Sequence, residues 1–277
     1  MILVHLLHRI LTSVLLYIND FISETFREGP IPRHVSFIMD GNRRYARQNE
    51  VTVAEGHSAG ASTLKQVSSI QHRSVECKTH ILQNLDQCFA LGIEIVFLYA
   101  FSLENFKRPQ EQVDTLMRLL EGSLLQIHGP NTFVEKHDVQ IRVVGKLELL
   151  DENVMSAIAR TMEATKDNKG KVLNICIAYA ARDEIAIAIR ETVSACGSPA
   201  KITEISLTDN MFMEVPVDLM IRTSGVYRLS DFMLWQYHQH TPIEVVERNW
   251  PDFGRFDMGI VLLRWQRRRN QDIGVPI

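Results

Sequence analysis

Three short polar clusters carry residue types that handle phosphate. The first is Asp40-Gly41-Asn42-Arg43-Arg44. The second runs from Ser102 through Glu104, Asn105 and Lys107 to Arg108. The third runs from Arg222 through Thr223, Ser224, Gly225, Val226 and Arg228 to Ser230. Together they hold five arginines, one lysine, two carboxylates, hydroxyls and flexible glycines. A guanidinium is planar, charged at every physiological pH, and meets two phosphate oxygens with two parallel N–H bonds. Gly41 lets backbone N–H groups approach an anion, and a helix beginning near Asn42 would add its positive end. Asp40 is a lone carboxylate in basic company. That placement suits Mg²⁺, which commonly takes one or two carboxylates and completes its shell with substrate phosphates and water. The chemistry these residues predict is the binding and activation of a diphosphate. Solvated loop charges would explain any one cluster taken alone about as well.

What joins the clusters is the pattern of elements around them. Short apolar runs at 35–39, 93–101, 139–144, 172–179 and 217–221 read as strands rich in Val and Ile. Longer helical patterns lie at 60–91, 112–128, 152–166, 182–196 and 258–269. Strands that alternate with helices and are apolar on both faces predict an α/β fold with a central, mostly parallel sheet flanked by helices. The three polar clusters follow the first, second and fifth strands. In an open parallel sheet ligands bind outside the carboxyl ends of the strands, so all three should meet at one edge.

Composition narrows the alternatives. The chain has 277 residues, a formal net charge of −3 and 45% hydrophobic residues, which suits one large domain with a full core. A general nucleic-acid binder would be basic, so that class is set aside and any anion site must come from local arginine placement. Cys77, Cys88, Cys176 and Cys196 form no CxxC pair and no Cys/His zinc spacing, as expected of idle thiols in a reducing compartment. No GxGxxG, GxxxxGK[ST] or GxSxG motif occurs.

Two segments stand apart. Residues 1–28 form a mostly apolar stretch whose polar members, among them His5, His8, Arg9, Thr12, Asn19, Asp20 and Glu24, recur mainly at helical spacing. The uncharged run between Arg9 and Asp20 is ten residues long, short of the roughly 20 a spanning helix needs. An amphipathic helix lying on a membrane is expected, with the catalytic domain at 29–277, entered through Gly29-Pro30-Ile31-Pro32. A helix packed on the domain's own core is the alternative. Residues 67–80 interrupt an otherwise smooth amphipathic period. They read either as an insertion, such as a splice variant would carry, or as a helix–loop–helix.

The segments HVSFIMDGNRRYARQ, EGHSAG, YAFSLENFKRP, LNICIAYAARDEI, IRTSGVYRLSDFMLWQ and WPDFG, in that order from Pro32 to Gly254, resemble the sequential signature of the cis-prenyltransferases. The likeness is greatest to the eukaryotic dehydrodolichyl diphosphate synthase branch of these undecaprenyl diphosphate synthase-like enzymes. The DDxxD motifs of trans-prenyltransferases are absent. The resemblance implies a hydrophobic product tunnel, walled by the helices at 60–91 and 112–128. It implies an enzyme that adds isopentenyl diphosphate units to an allylic prenyl diphosphate, farnesyl or geranylgeranyl, to make long-chain polyprenyl diphosphate for dolichol and protein glycosylation. By the same resemblance, Asp40 holds the Mg²⁺ and Gly41, Asn42, Arg43 and Arg44 grip the allylic diphosphate. Arg108 is a further substrate contact, and Arg222, Arg228 and Ser230 bind the diphosphate of the incoming unit. His57, Ser102 and Asn105 sit near the reacting carbons.

Departures from the family pattern carry their own expectations. Val53, Val226 and Thr241 stand where many bacterial relatives have Arg, Glu and a metal-binding Glu. The chain ends RWQRRRNQDIGVPI, without the Arg-x-Gly element of single-subunit members. A partner of the Nogo-B-receptor type is therefore expected to supply it, at the cytosolic face of the endoplasmic reticulum membrane. A non-catalytic subunit, or one disabled by residues 67–80, is the alternative; the intact Asp40–Arg44 motif argues against it.

Overall fold

The computed structural model describes residues 29–49, 80–197, 201–238 and 240–273. The expected N-terminal helix, Val53, His57 and residues 67–79 lie outside them. His80 belongs to a helix.

In chain order the elements are β1 (His34–Ile38), α1 (Asn42–Gln48), α2 (His80–Leu91), β2 (Ile95–Ser102), α3 (Gln110–Gln126) and α4 (Phe133–Lys136). Then follow β3 (Val139–Val144), α5 (Glu152–Thr165), β4 (Lys171–Tyr179) and α6 (Ala181–Cys196). The last are α7 (Glu204–Thr208), β5 (Leu219–Thr223), β6 (Ile243–Val246) and α8 (Arg255–Ile273). The sheet has six strands in the order β3-β4-β2-β1-β5-β6, and every pairing is parallel. From β1 the chain steps to β2, out to the edge strand β3 and back to β4, then crosses to β5 and β6 on the other side of β1, so strand order reverses at β1. The carboxyl ends of β1, β2 and β5 open together there, as the strand-end rule requires.

Side chains of successive strand residues point to opposite faces, and both faces are covered. On one face Val35, Phe37, Val96, Leu98 and Ile221 pack with Leu85 and Phe89 of α2, Met117 and Leu124 of α3, Ile158 of α5 and Trp265 of α8. On the other, Ile38, Phe97, Cys176 and Met220 pack with Ala181 at the start of α6 and with Met213, Phe232 and Tyr237. The second layer includes an irregular segment between β5 and β6, which is why no helical period marks it in the sequence.

Local signals set the element ends. The Asp151 side chain accepts the Val154 N–H at 2.9 Å and starts α5. Gly197, at φ 63°, ends α6 in the left-handed conformation. The 139–144 strand is observed at the expected residues, whereas β2 and β5 each begin two residues later than their apolar runs. Residues 243–246 add an edge strand that their sequence, IEVV, is too short to announce.

Phe37 is 1% exposed and meets Trp250 edge-on at 6.0 Å between ring centroids. Phe37→Ala is expected to cost about 3–5 kcal/mol of stability, the usual result of a cavity in a dense core. Urea unfolding followed by tryptophan fluorescence measures it.

Candidate active site

The sheet's carboxyl edge opens into a cleft of about 880 Å³. Every sequence-predicted site residue within the described residues lines it. From the first cluster come Asp40, Gly41, Asn42, Arg43 and Arg44, from the second Ser102, Asn105 and Arg108, and from the third Arg222, Arg228 and Ser230. Residues up to 190 positions apart in the chain, Asp40 and Ser230, are thus assembled by strand order alone. Val226 and Thr241 are not among the lining residues. The Thr241 hydroxyl is bonded to the Val217 carbonyl at 2.6 Å, at the opposite end of β5.

The anchor of the site is Arg222, the penultimate residue of β5, whose side chain is 2% exposed. A buried guanidinium is tolerated only if its donors are met. Nη2 donates to Asp40 Oδ2 at 2.7 Å, and Nη1 donates to the Arg228 carbonyl at 2.6 Å and to Ser230 Oγ at 2.8 Å. Nε is buried without a partner among the described residues. Thr223 adds a second tie, donating its hydroxyl to the Asp40 carbonyl at 2.7 Å. One side chain therefore couples the first cluster to the third.

Gly41 occupies a conformation that only glycine adopts readily, φ 106°, as the residue before α1. Its N–H donates to Asp40 Oδ1 at 2.7 Å. A Cβ here would lie 2.5 Å from Asn249 Oδ1 and 2.9 Å from Asn249 Cα. Asn249 itself donates to Gln48 Oε1 at 2.8 Å, and Trp250 N–H donates to the Asp40 carbonyl at 2.9 Å. The turn is thus pressed against the loop after β6, a support that nothing in the first cluster announces.

The second cluster is ordered by its own capping. The Ser102 hydroxyl accepts the Glu104 N–H at 3.1 Å while the Asn105 amide oxygen accepts the Ser102 N–H at 3.1 Å. This reciprocal cap holds the 3-10 turn Leu103–Lys107 at the end of β2. Arg108 follows it into the cleft. Burial, and then the charge of Arg43, push the Arg108 guanidinium below its ordinary pKa, with Asp40 partly compensating. Arginine remains charged regardless. A guanidinium depressed by the charge of a second one in a half-buried cleft marks a place for an anion. Arg44 lies 3.8 Å from Asp40 and also donates to the Ser224 carbonyl.

The far end of the cleft is apolar. Leu82 and Leu85 of α2, Leu98 and Phe101 of β2, and Leu116 and Leu120 of α3 line it. α3 covers most of the wall helix expected at 112–128, and α2 is the described part of the one expected at 60–91. Sequence reasoning gave no role to Arg47, Arg182, Asp231 or Trp250, which also line the cleft. Arg182 had an available signal, because it lies just past the end of β4, at the same sheet edge.

A doubly covered parallel sheet with an arginine-rich anion site running into an aliphatic groove defines an α/β enzyme for a diphosphate with a hydrocarbon tail. Residues 38–272 match the undecaprenyl diphosphate synthase (prenyltransferase) family. A dehydrodolichyl diphosphate synthase complex subunit of Schizosaccharomyces pombe is 37% identical over 87% of this chain and 88% of its own. The human dehydrodolichyl diphosphate synthase complex subunit is 36% identical over 89% of this chain and 70% of its own. The crystal structure of lavandulyl diphosphate synthase from Lavandula x intermedia, in complex with dimethylallyl diphosphate, superimposes with a TM-score of 0.71 at 28% identity, covering 85% of this chain and 95% of that one. The chain belongs to the undecaprenyl diphosphate synthase family of cis-prenyltransferases, and its activity is cis-prenyl chain elongation.

Gly41→Ala is expected to lower kcat by about 100-fold or more, because both the strain and the contact with Asn249 displace Asp40. Steady-state kinetics, with circular dichroism as a check on folding, measures it.

Proposed function

We propose that the chain condenses isopentenyl diphosphate units onto farnesyl or geranylgeranyl diphosphate and makes a long-chain polyprenyl diphosphate of the dehydrodolichyl type, for dolichol and protein glycosylation. The observation that carries this reading is the two-ended cleft. Asp40 and Arg222 are joined at its polar end, and leucines of α2 and α3 line its other end. Gly41, Asn42, Arg43, Arg44 and Arg108 hold the allylic diphosphate, and Arg222, Arg228 and Ser230 hold the diphosphate of the incoming unit. Ser102 and Asn105 flank the reacting carbons, with His57 assigned beside them from the sequence.

The donor set fits Mg²⁺. Asp40 is a hard oxygen ligand whose side chain is 29% exposed, and each of its carboxylate oxygens keeps lone-pair capacity beyond the bond it already accepts. No group of three His, Cys, Asp or Glu suited to a metal occurs among the described residues. A metal at Asp40 would therefore be shared with substrate phosphates, as Mg²⁺ commonly is. When bound it supplies positive charge against the diphosphate oxygens.

The arginines do the rest of the electrostatic work. As the allylic C1–O bond breaks, the diphosphate leaves with the electron pair, and its growing charge is met by fixed guanidinium and backbone N–H groups. The double bond of isopentenyl diphosphate supplies the electrons for the new C–C bond, and a proton leaves its C2 to restore a double bond in cis geometry. The lengthened tail moves along the leucine wall, where each buried CH₂ gains about 0.8 kcal/mol.

The complex-subunit names of the relatives support a partner subunit for this chain too. The reading assigns it to the Nogo-B-receptor type, supplying an Arg-x-Gly element. An apolar product supports work at the cytosolic face of the endoplasmic reticulum membrane, reached by the mostly apolar stretch at 1–28.

Labelled isopentenyl diphosphate, farnesyl diphosphate and Mg²⁺ are expected to give long polyprenyl product, with chelation by EDTA stopping turnover and Mg²⁺ restoring it. Asp40→Ala is expected to reduce turnover by about 1,000-fold. Adding the partner subunit is expected to raise the rate. Product chromatography reads all three, and full activity of Asp40→Ala would overturn the assignment.

A further inference from the structure

Arg228 and Ser230 lie on neither strand nor helix. The segment that carries them holds several non-glycine residues in the left-handed region: Ser224 at φ 81°, Ser230 at 52°, Asp231 at 58° and Met233 at 48°. Such backbone is disfavoured and persists only where contacts over-determine it. Its anchorage lies on the first turn of α6.

Helix α6 starts without a capping side chain of its own, since the residue before it is Ala180. Asp231 provides the cap from a distant part of the chain. Its carbonyl accepts the Ala181 N–H at 2.7 Å, its Oδ1 accepts the Arg182 N–H at 3.0 Å, and its Oδ2 accepts Arg182 Nε–H at 2.9 Å. Two of the helix's otherwise unpaired amides and one guanidinium thus converge on a single residue. The Asp231 side chain is 13% exposed, whereas Arg182 is 75% exposed and faces the cleft. The next-door Ser230 gives its Oγ to Arg222 and its carbonyl to the Tyr99 hydroxyl at 3.2 Å.

The same helical turn holds the segment's far side. Buried Glu184 accepts the Met213 N–H and the Gln236 side-chain amide, both at 3.2 Å, and also the Tyr179 hydroxyl.

We propose that Asp231, clasped to Arg182 and the first turn of α6, is a positioning residue that sets Arg228 and Ser230 for the diphosphate of the incoming isopentenyl unit. Asp231 touches no substrate in this role. It acts through the segment, and Arg182 acts through Asp231. The inference rests on the reading that Arg228 and Ser230 bind that diphosphate.

The test is steady-state kinetics on the full chain, with its partner subunit wherever turnover requires one. D231N, R182A and the double variant are compared with R228A as the reference. D231N keeps the side chain's shape and removes its charge. R182A leaves both backbone N–H bonds to Asp231 in place, so it carries the test if D231N does not fold. R228A is expected to raise KM for isopentenyl diphosphate by about tenfold or more, the effect of losing a charged phosphate contact. D231N and R182A are each expected to raise the same KM by about three- to fivefold, as fits a partly exposed ion pair, with KM for the allylic substrate within about twofold of the parent. The double variant is expected to be no worse than the worse single variant, because the two side chains act as one unit. Equal increases in both KM values, fully additive losses, or an unchanged KM in D231N and R182A beside a raised one in R228A would overturn the positioning role alone. An unchanged KM in R228A would overturn the site assignment, and the inference with it.

Discussion

The structure depends on a charge that has been taken out of water. Arg222 stands on an inner strand of a doubly covered sheet, where a solitary guanidinium would be very costly, and Asp40 on the adjacent strand's end makes it tolerable. The partnership has a geometric result. Ile38 and Arg222 are register partners, so a bond from Arg222 to a residue two places beyond Ile38 fixes how the chain leaves β1. The amino ends of the same two strands are also fastened by a carboxylate, as Asp218 accepts the N–H groups of Arg33 and His34 at 2.7 and 2.9 Å. Pinned at both ends, β1 and β5 hold a fixed register. The polar clusters that follow them cannot slide relative to one another.

From that pin the cleft acquires its polarity. Charged groups gather on the side where strand ends expose backbone and loops, and aliphatic side chains gather where α2 and α3 cover the sheet. Each end sharpens the other. Apolar walls lower the local dielectric and strengthen the arginine field, while the charged rim keeps the diphosphate from following its tail inward.

Much of this was legible in the residues. Parallel strands buried on both faces read as Val- and Ile-rich runs, and β3 was placed to the residue. The strand-end rule alone puts Asp40, Ser102, Arg108 and Arg222 at one edge. What escaped was of two kinds. β6 has four residues, one of them the buried Glu244 held by Arg264 and Arg268 of α8. An ion pair between distant elements leaves no local period to detect. Asp231 and Asn249 escaped for a related reason. Each acts on a segment far away in sequence, Asp231 on α6 and Asn249 on Gly41, and a single sequence shows composition far better than it shows long-range support. Thr241 stands where bacterial relatives have a metal-binding Glu, and its hydroxyl is spent on the backbone at the other end of the sheet.

The strand order also has a consequence for the chain as it is made. β1 is synthesised first, and β2 can pair with one of its edges early. Its other edge waits for β5, whose Leu219 is the partner of Val35. For most of translation the central strand therefore has a bare flank, a row of unpaired N–H and C=O groups that could recruit the wrong neighbour. Long-range parallel pairing of this kind is slow to form. The charged pair of the site waits for the same strand, so the bond between Arg222 and Asp40 and the pairing of the second edge of β1 arrive together.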